Sequence, residues 1–170
     1  MRIYSFEPVA DPMSRVLILG TMPGKASLRE RRYYAHPRNL FWTVTGAVLG
    51  FNPEEPYGNR LRAMRSAGVA LWDVLKSCER KGSLDSDIDI STEVPNDLPA
   101  FLAAHPRIGR ICFNGARAEA LFSKYVKPLL LNRKAVYIRL PSTSPANASI
   151  TIEKKMVAWR AIRPDEASRR

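Results

Sequence analysis

Residues 16–42 read VLILGTMPGKASLRERRYYAHPRNLFW, and most of the side chains suited to handling a small ligand fall in this stretch. An apolar run breaks at Gly20 into a loop closed by Gly24; Tyr33 and Tyr34 follow, and Asn39 stands just before Phe41 and Trp42. Glycine lets a ligand approach the backbone closely, a tyrosine ring offers a flat face, and an uncharged amide both donates and accepts hydrogen bonds. A strand end with these three features suits the gripping of a planar heterocycle. The same residues have plainer uses. Asn39 suits a helix N-cap, because Pro37 disfavours helix at His36, and Tyr34, Phe41 and Trp42 are good core residues.

The octapeptide GTMPGKAS invites comparison with a nucleotide phosphate loop, since Gly24, Lys25 and Ser27 follow a strand. The match is incomplete. The loop is one residue short, Ala26 separates Lys25 from Ser27, and the chain beyond runs toward a His-Pro pair instead of opening a helix that offers its N-terminus to phosphate. A magnesium-dependent nucleotide phosphotransferase is the weakest reading.

These residues need a frame. Four short apolar runs, VLIL at 16–19, VALW at 69–72, RICF at 110–113 and AVYIRL at 135–140, end at Gly20, Asp73, Asn114 and Pro141. Brief, partly β-branched runs closed by such residues describe strands buried on both faces of a parallel sheet. Helical spacing fills the intervals at 40–49 after Asn39, 59–67, 98–104 after Asn96 and Asp97, 116–125, and 152–162 after Thr151. The alternation predicts an α/β fold, a three-layer αβα sandwich with a central four-stranded parallel sheet. In open sheets of this kind ligands bind outside the carboxyl ends of the strands, so four loops should meet at one crevice. Residues 81–95, KGSLDSDIDISTEVP, are acidic and turn-rich and read as a solvated surface loop.

Composition narrows the class. Lys and Arg outnumber Asp and Glu by 27 to 16 in 170 residues, a net charge of +11 that suits a polyanion such as nucleic acid. The last residues hold Asp165 and Glu166 beside Arg169 and Arg170, so most of the excess charge belongs to the body. Cys78 and Cys112 are the two cysteines, with no CxxC and no Cys/His cluster, which leaves no thiolate zinc or iron-sulfur site; no metal or cofactor is expected. The N-terminus lacks the apolar run of a signal peptide and no stretch approaches the ~20 apolar residues of a bilayer span. A cytoplasmic protein with no membrane association, monomeric by default, is the expectation.

In order along the chain, GTMPG, YYAHPRNLFW, ALWDVL, CFNG and LPSTSPAN resemble the motifs of the uracil-DNA glycosylase superfamily, most closely its hypoxanthine-DNA (deoxyinosine) glycosylase branch. The resemblance covers most of the chain. It implies one domain of this type over residues 1–163, followed by a basic, flexible tail at 164–170, and a DNA partner carrying a deaminated base that is flipped into the crevice. In that branch the Asn of the HPRN motif is catalytic, which falls on Asn39. Many relatives carry a water-positioning Asp or Asn in the first loop, where this chain has Thr21 and Met22, and often a His before Pro-Ser, where this chain has Leu140. The resemblance therefore gives Asn39 the task of orienting the attacking water.

The remaining roles follow from the same comparison. The loop of Gly20, Thr21, Met22, Pro23 and Gly24 offers backbone N–H groups to the departing base, and Tyr34 stacks on the flipped ring. Asp73, where uracil-specific relatives use Asn, and Asn114 contact the base edge, although either also suits a cap or a turn. Ser142, Thr143, Ser144 and Asn147 of LPSTSPAN, with Lys25, Ser27, Arg32 and Arg38, contact DNA phosphates or the vacated duplex. No Lys falls at a clear Schiff-base position, so the implied reaction is hydrolytic excision of hypoxanthine from deoxyinosine. Uracil or mismatch-specific excision, and a catalytically inactive nucleic-acid-binding module of the same fold, are the alternatives.

Overall fold

The computed structural model describes residues 1–165; the last five residues of the expected tail lie outside it, and Pro164 and Asp165 lie within it. In chain order the elements are strand β1 (Arg2–Tyr4), β2 (Val16–Gly20), helix α1 (Lys25–Glu30), α2 (Phe41–Leu49), α3 (Tyr57–Ser66), β3 (Val69–Asp73), β4 (Leu75–Arg80), β5 (Ile88–Pro95), α4 (Leu98–Ala104), β6 (Arg110–Asn114), α5 (Ala116–Tyr125), β7 (Val136–Leu140) and α6 (Ile152–Trp159).

The four apolar runs form one parallel sheet in the order β3-β2-β6-β7. Val16 registers with Val69 and Arg110, and Arg110 with Val136. Because successive strand residues face opposite sides, Leu17 and Leu19 pack with Ile111 and Phe113 against α4 and α5, whereas Val16 and Ile18 pack with Leu71 and Cys112 against α2, α3 and α6. Leu17, Ile18 and Leu19 are all fully buried, which is why β2 reads as an unbroken apolar run. Helices on both faces make the expected three-layer sandwich.

Four features depart from expectation. A second, antiparallel sheet of order β1-β4-β5 stands beside the first. It takes in most of the segment read as a surface loop: Ile88 to Pro95 is a strand, and a 3-10 turn covers Asp85–Asp87. The acidic character of that segment misled because Glu93 has a fully buried side chain, ion-paired with Arg117 and Lys124 and accepting a hydrogen bond of 2.7 Å from the Tyr125 hydroxyl. Asn96 does not cap α4; Asp97 does, its Oδ1 accepting from the Ala100 N–H, while the Asn96 amide donates to the Asp73 and Leu75 carbonyls and ties the two sheets together. The third departure is α1, a short helix that does open directly after Gly24, because KASLRE lies far enough ahead of Pro37 to coil. Finally, α2 begins at Phe41 with Leu40 at its N-cap, one residue later than expected, and α3 begins earlier, at Tyr57 after Pro56.

Among the described residues no helix is long and apolar enough to cross a membrane.

Candidate active site

The carboxyl ends of β2, β3, β6 and β7 bring Gly20, Asp73, Asn114 and Leu140 to one end of the sheet, where the loops enclose a cavity of about 1040 Å³. That is enough room for a nucleoside with its flanking phosphates.

The first wall is the β2–α1 loop. Its chain is held from below: Val74 and Leu75 donate their N–H groups to the carbonyls of Gly20 and Thr21, and buried Arg80 donates through Nη2 to the Pro23 carbonyl at 2.6 Å. A Cβ at position 20 would lie 2.6 Å from Asp73 Oδ1 and 2.9 Å from the Tyr34 hydroxyl, so only glycine lets those two oxygens converge there. Met22 lines the cavity floor while also packing into the core against α4 and α5. Leu140 is 2% exposed and belongs to the opposite core, and no imidazole replaces it among the lining residues from β7.

The second wall is the turn between α1 and α2. Tyr33 is the anchor: its ring is buried, its hydroxyl donates to the Glu7 carbonyl at 2.8 Å, and its own carbonyl accepts from Trp42 Nε1. With Tyr33 fixed inward, Tyr34 takes a left-handed backbone (φ 53°) that turns its ring over the pocket. One face of that ring lies flat on Phe41, with centroids 3.8 Å apart and planes 12° from parallel. Ser27 holds the turn from behind, its Oγ accepting from the Ala35 N–H. Ser27 is 5% exposed, so its expected place on the DNA-facing surface is corrected to a support beneath Tyr34.

Asn39 sits at the junction of this turn with the third wall. Its Oδ1 accepts from the Phe41 N–H at 3.0 Å, which orients the amide while leaving its second lone pair and its NH₂ free of that bond. The next residue, Leu40, donates its N–H to the carbonyl of Thr143. Thr143 is fully buried, and its N–H and Oγ1 are engaged by the Asn114 amide, Oδ1 accepting at 2.9 Å and Nδ2 donating at 3.0 Å. Three separate motifs are thereby locked together: HPRN by Leu40, CFNG by Asn114, and LPSTSPAN by Thr143. Thr143 is the hub of this clamp rather than an exposed phosphate grip, and Asn114 spends one donor and one acceptor on it before any base contact.

The 142–147 loop is folded on itself beyond the hub. Ser144 Oγ accepts from the Ala146 N–H, Asn147 Nδ2 donates to the Ser142 carbonyl, and Lys155, 1% exposed, donates from Nζ to the Asn147 carbonyl at 2.8 Å. Ser142, Ser144 and Asn147 line the cavity rim with Lys25 and Arg38. The chain from β2 to the rim thus brings the sequence-derived site residues to one cavity, except Arg32, which lies outside the lining with its guanidinium over the Tyr57 ring.

Two residues were not foreseen. Asp85, on the β4–β5 connection, lines the cavity, and the buried Arg80 acts on its charge. Nothing local marks Asp85 among the alternating acids of SLDSDID; its importance comes from the packing of the second sheet. Electrostatically the site centres on Asp73. Burial, reinforced by the negative charge of Asp85 and opposed by Arg80, pushes its carboxyl up to about 8. Asp85 is also raised by burial, with the Thr21 hydroxyl, Arg80 and Arg117 acting against the rise. Burial and the proximity of Asp73 keep Tyr33 and Tyr34 protonated. Among the described residues no group of three or more His, Cys, Asp or Glu is placed to hold a metal ion.

Comparison with known proteins agrees with this architecture. The uracil DNA glycosylase superfamily model matches residues 7–163. A hypoxanthine DNA glycosylase of Methanosarcina acetivorans is 34% identical over 92% of this chain and 95% of its own length. One from Methanosarcina barkeri is 35% identical over 69% of this chain and 74% of its own. The solution NMR structure of a candidate uracil DNA glycosylase from Methanosarcina acetivorans superposes with a TM-score of 0.80 at 30% identity, covering 96% of this chain and all of that one. The chain belongs to the uracil DNA glycosylase superfamily.

Proposed function

We propose that the protein is a monofunctional DNA glycosylase that flips deoxyinosine out of DNA and hydrolyses its N-glycosidic bond, releasing hypoxanthine and leaving an abasic site. The observation that carries this reading is the convergence of Asn39, Tyr34, Asp73 and Asn114 on one nucleoside-sized cavity at the strand ends. The naming of the Methanosarcina relatives as hypoxanthine DNA glycosylases supports the choice of base.

In the reaction the bond from sugar to base breaks, its electron pair leaves with the base, and water adds its oxygen to the sugar carbon while its proton passes through solvent to the departing base, which is released neutral. The site must steady positive charge on the sugar and negative charge on the base. Asn39 suits the water: the Phe41 N–H fixes its Oδ1, whose remaining lone pair accepts from the water and aims it. Tyr34 suits the base, because Phe41 backs one face of its ring and the flipped heterocycle stacks on the other. The Gly20 gap admits the base edge to Asp73. Lys25 and Arg38 at the rim, with Ser142 and Ser144, suit the phosphates on either side.

Uracil is the second reading, favoured by the description of the structural neighbour as a uracil DNA glycosylase. The test is base release from matched duplexes carrying deoxyinosine, deoxyuridine or neither. Hypoxanthine release in preference to uracil supports the proposal, and strong uracil release without hypoxanthine overturns the choice of base. Salt-dependent DNA binding without release of any base would leave a binding module.

A further inference from the structure

The inner wall of the cavity holds a polar cluster that the proposed function, on which this inference rests, leaves unexplained. Asp73 ends β3 with 3% of its surface exposed; Oδ1 overhangs Gly20, and Oδ2 has no hydrogen-bond partner in the protein. The Tyr34 hydroxyl, which approaches the same point above Gly20, is likewise buried, with the Asn114 side chain near enough to act on it but not in hydrogen-bonding geometry. A carboxylate in such a place must gain a cation or a proton. The cation that acts on it, Arg80, donates through Nε and Nη2 to the carbonyls of Gly82 and Pro23, and no hydrogen bond joins its remaining Nη1 to the Asp73 carboxyl. A second carboxyl, Asp85, reaches the same wall from the β4–β5 connection, steadied by the Thr21 hydroxyl. With Arg80 shared between the two acids and Arg117 acting on Asp85 alone, the more deeply buried acid takes up the proton.

A neutral carboxyl presents a donor and an acceptor side by side. The donor suits the carbonyl of hypoxanthine, whereas a carboxylate offers acceptors alone and repels that carbonyl. We propose that Asp73 reads the flipped base as a neutral acid, its O–H donating to the base carbonyl at the opening above Gly20, and that Asp85 is the positioning residue that keeps the proton on Asp73. The O–H bond also strengthens as the glycosidic bond breaks, because the electron pair left on the base spreads onto that carbonyl oxygen. Asp73 keeps its proton throughout, so the proton balance is that of hydrolysis itself.

The charged and titratable groups facing Asp73 and Asp85 come from three elements: Tyr33 and Tyr34 from the turn before α2, Arg80 from β4, and Arg117 from α5, which acts on Asp85. Both tyrosines are held protonated by burial, so their charge does not change through the neutral range. Removing the Asp85 charge lowers the pH at which Asp73 ionises.

The experiment measures hypoxanthine release from a deoxyinosine duplex across a pH series bracketing 8, using wild type, Asp73→Asn, Asp73→Leu and Asp85→Asn. Carbon NMR of aspartate-labelled protein follows the Asp73 carboxyl itself. The wild type should lose about tenfold in release per pH unit above the Asp73 transition, in step with its carboxyl signal. Asp85→Asn should move both transitions to lower pH together. Asp73→Asn, which keeps a donor and an acceptor in fixed protonation, should retain release but lose that alkaline limb, and Asp73→Leu should lose release. An Asp73 carboxyl titrating in the ordinary range, or release by the wild type and Asp73→Asn with the same alkaline limb, overturns the proposal and leaves the proposed function standing. No release of hypoxanthine by the wild type at any pH overturns the proposed function, and the base-reading role with it.

Discussion

Asn114→Ala separates the amide's structural work from its chemistry. The substitution deletes both partners of Thr143 within the clamp, the acceptor for its N–H at 2.9 Å and the donor to its Oγ1 at 3.0 Å, at a residue with no exposed surface. An unsatisfied buried group costs about 1–3 kcal/mol, and here one backbone donor and one hydroxyl are stranded. The hydroxyl can rotate toward another acceptor and recover part of its loss, so the expected destabilisation is about 2–4 kcal/mol. Urea denaturation reads this as a lower midpoint at unchanged slope, and thermal unfolding as a fall of about 2–4 °C per kcal/mol for a chain of this size. A double-mutant cycle with Thr143→Val isolates the hydroxyl contact, with a coupling expected at about 1 kcal/mol. Since Thr143 also accepts from Leu40, the loosened clamp should weaken DNA affinity through the 142–147 loop even where Asn114 touches no base. A stability loss within about 0.5 kcal/mol, or no coupling to Thr143, would refute the argument that this amide joins the three motifs.

The other perturbations address the pocket wall. Asp73 is protonated in the folded protein up to about 8 and ionised far lower once unfolded, so the folded state binds more protons between those values; wild-type stability should fall as pH rises through this window, by up to about 1.4 kcal/mol per unit. Asp73→Asn should remove that slope in paired urea melts at acid and neutral pH, and parallel pH dependences in the two proteins would contradict it. Gly20→Ala places a methyl 2.6 Å from Asp73 Oδ1 and 2.9 Å from the Tyr34 hydroxyl, so it should cost about 1–3 kcal/mol in an unfolding titration and suppress base release; wild-type turnover would show that the two oxygens need not converge. Tyr34→Ala should weaken capture of the flipped base by about 1–3 kcal/mol in single-turnover kinetics while Tyr34→Phe keeps the stacking, and unchanged capture in Tyr34→Ala would assign the ring to the core alone.

The four central strands were legible because burial on both faces leaves an apolar run in the sequence, as in Leu17, Ile18 and Leu19. The second sheet left no such mark. In β4 the buried Leu75, Ser77 and Cys78 alternate with exposed Lys76 and Glu79, and in β5 most residues face outward, so both strands depend on each other and on Asn96 rather than on local pattern. Asn39, Tyr34, Asp73 and Asn114 could be assigned to one crevice because motif order and strand ends converge on them, and all four line the cavity. Ser27 and Thr143 were placed in the right cavity with the wrong task, since a hydroxyl suited to phosphate is equally suited to a buried backbone N–H, and only tertiary packing decides. Asp85 was missed for the same reason: its place beside Thr21 and Asp73 depends on how the β4–β5 connection packs against the β2–α1 loop, which no local pattern shows.

The measurement that bears most directly on the central claim is single-turnover release of hypoxanthine from a deoxyinosine duplex by wild type and Asn39→Ala, with DNA affinity measured in parallel. The account predicts release by the wild type and a loss of at least about a hundredfold in Asn39→Ala, of the size expected when a group that aims a reactant is removed, with affinity nearly unchanged. Release at the wild-type rate by folded Asn39→Ala would contradict the assignment of this amide to the attacking water.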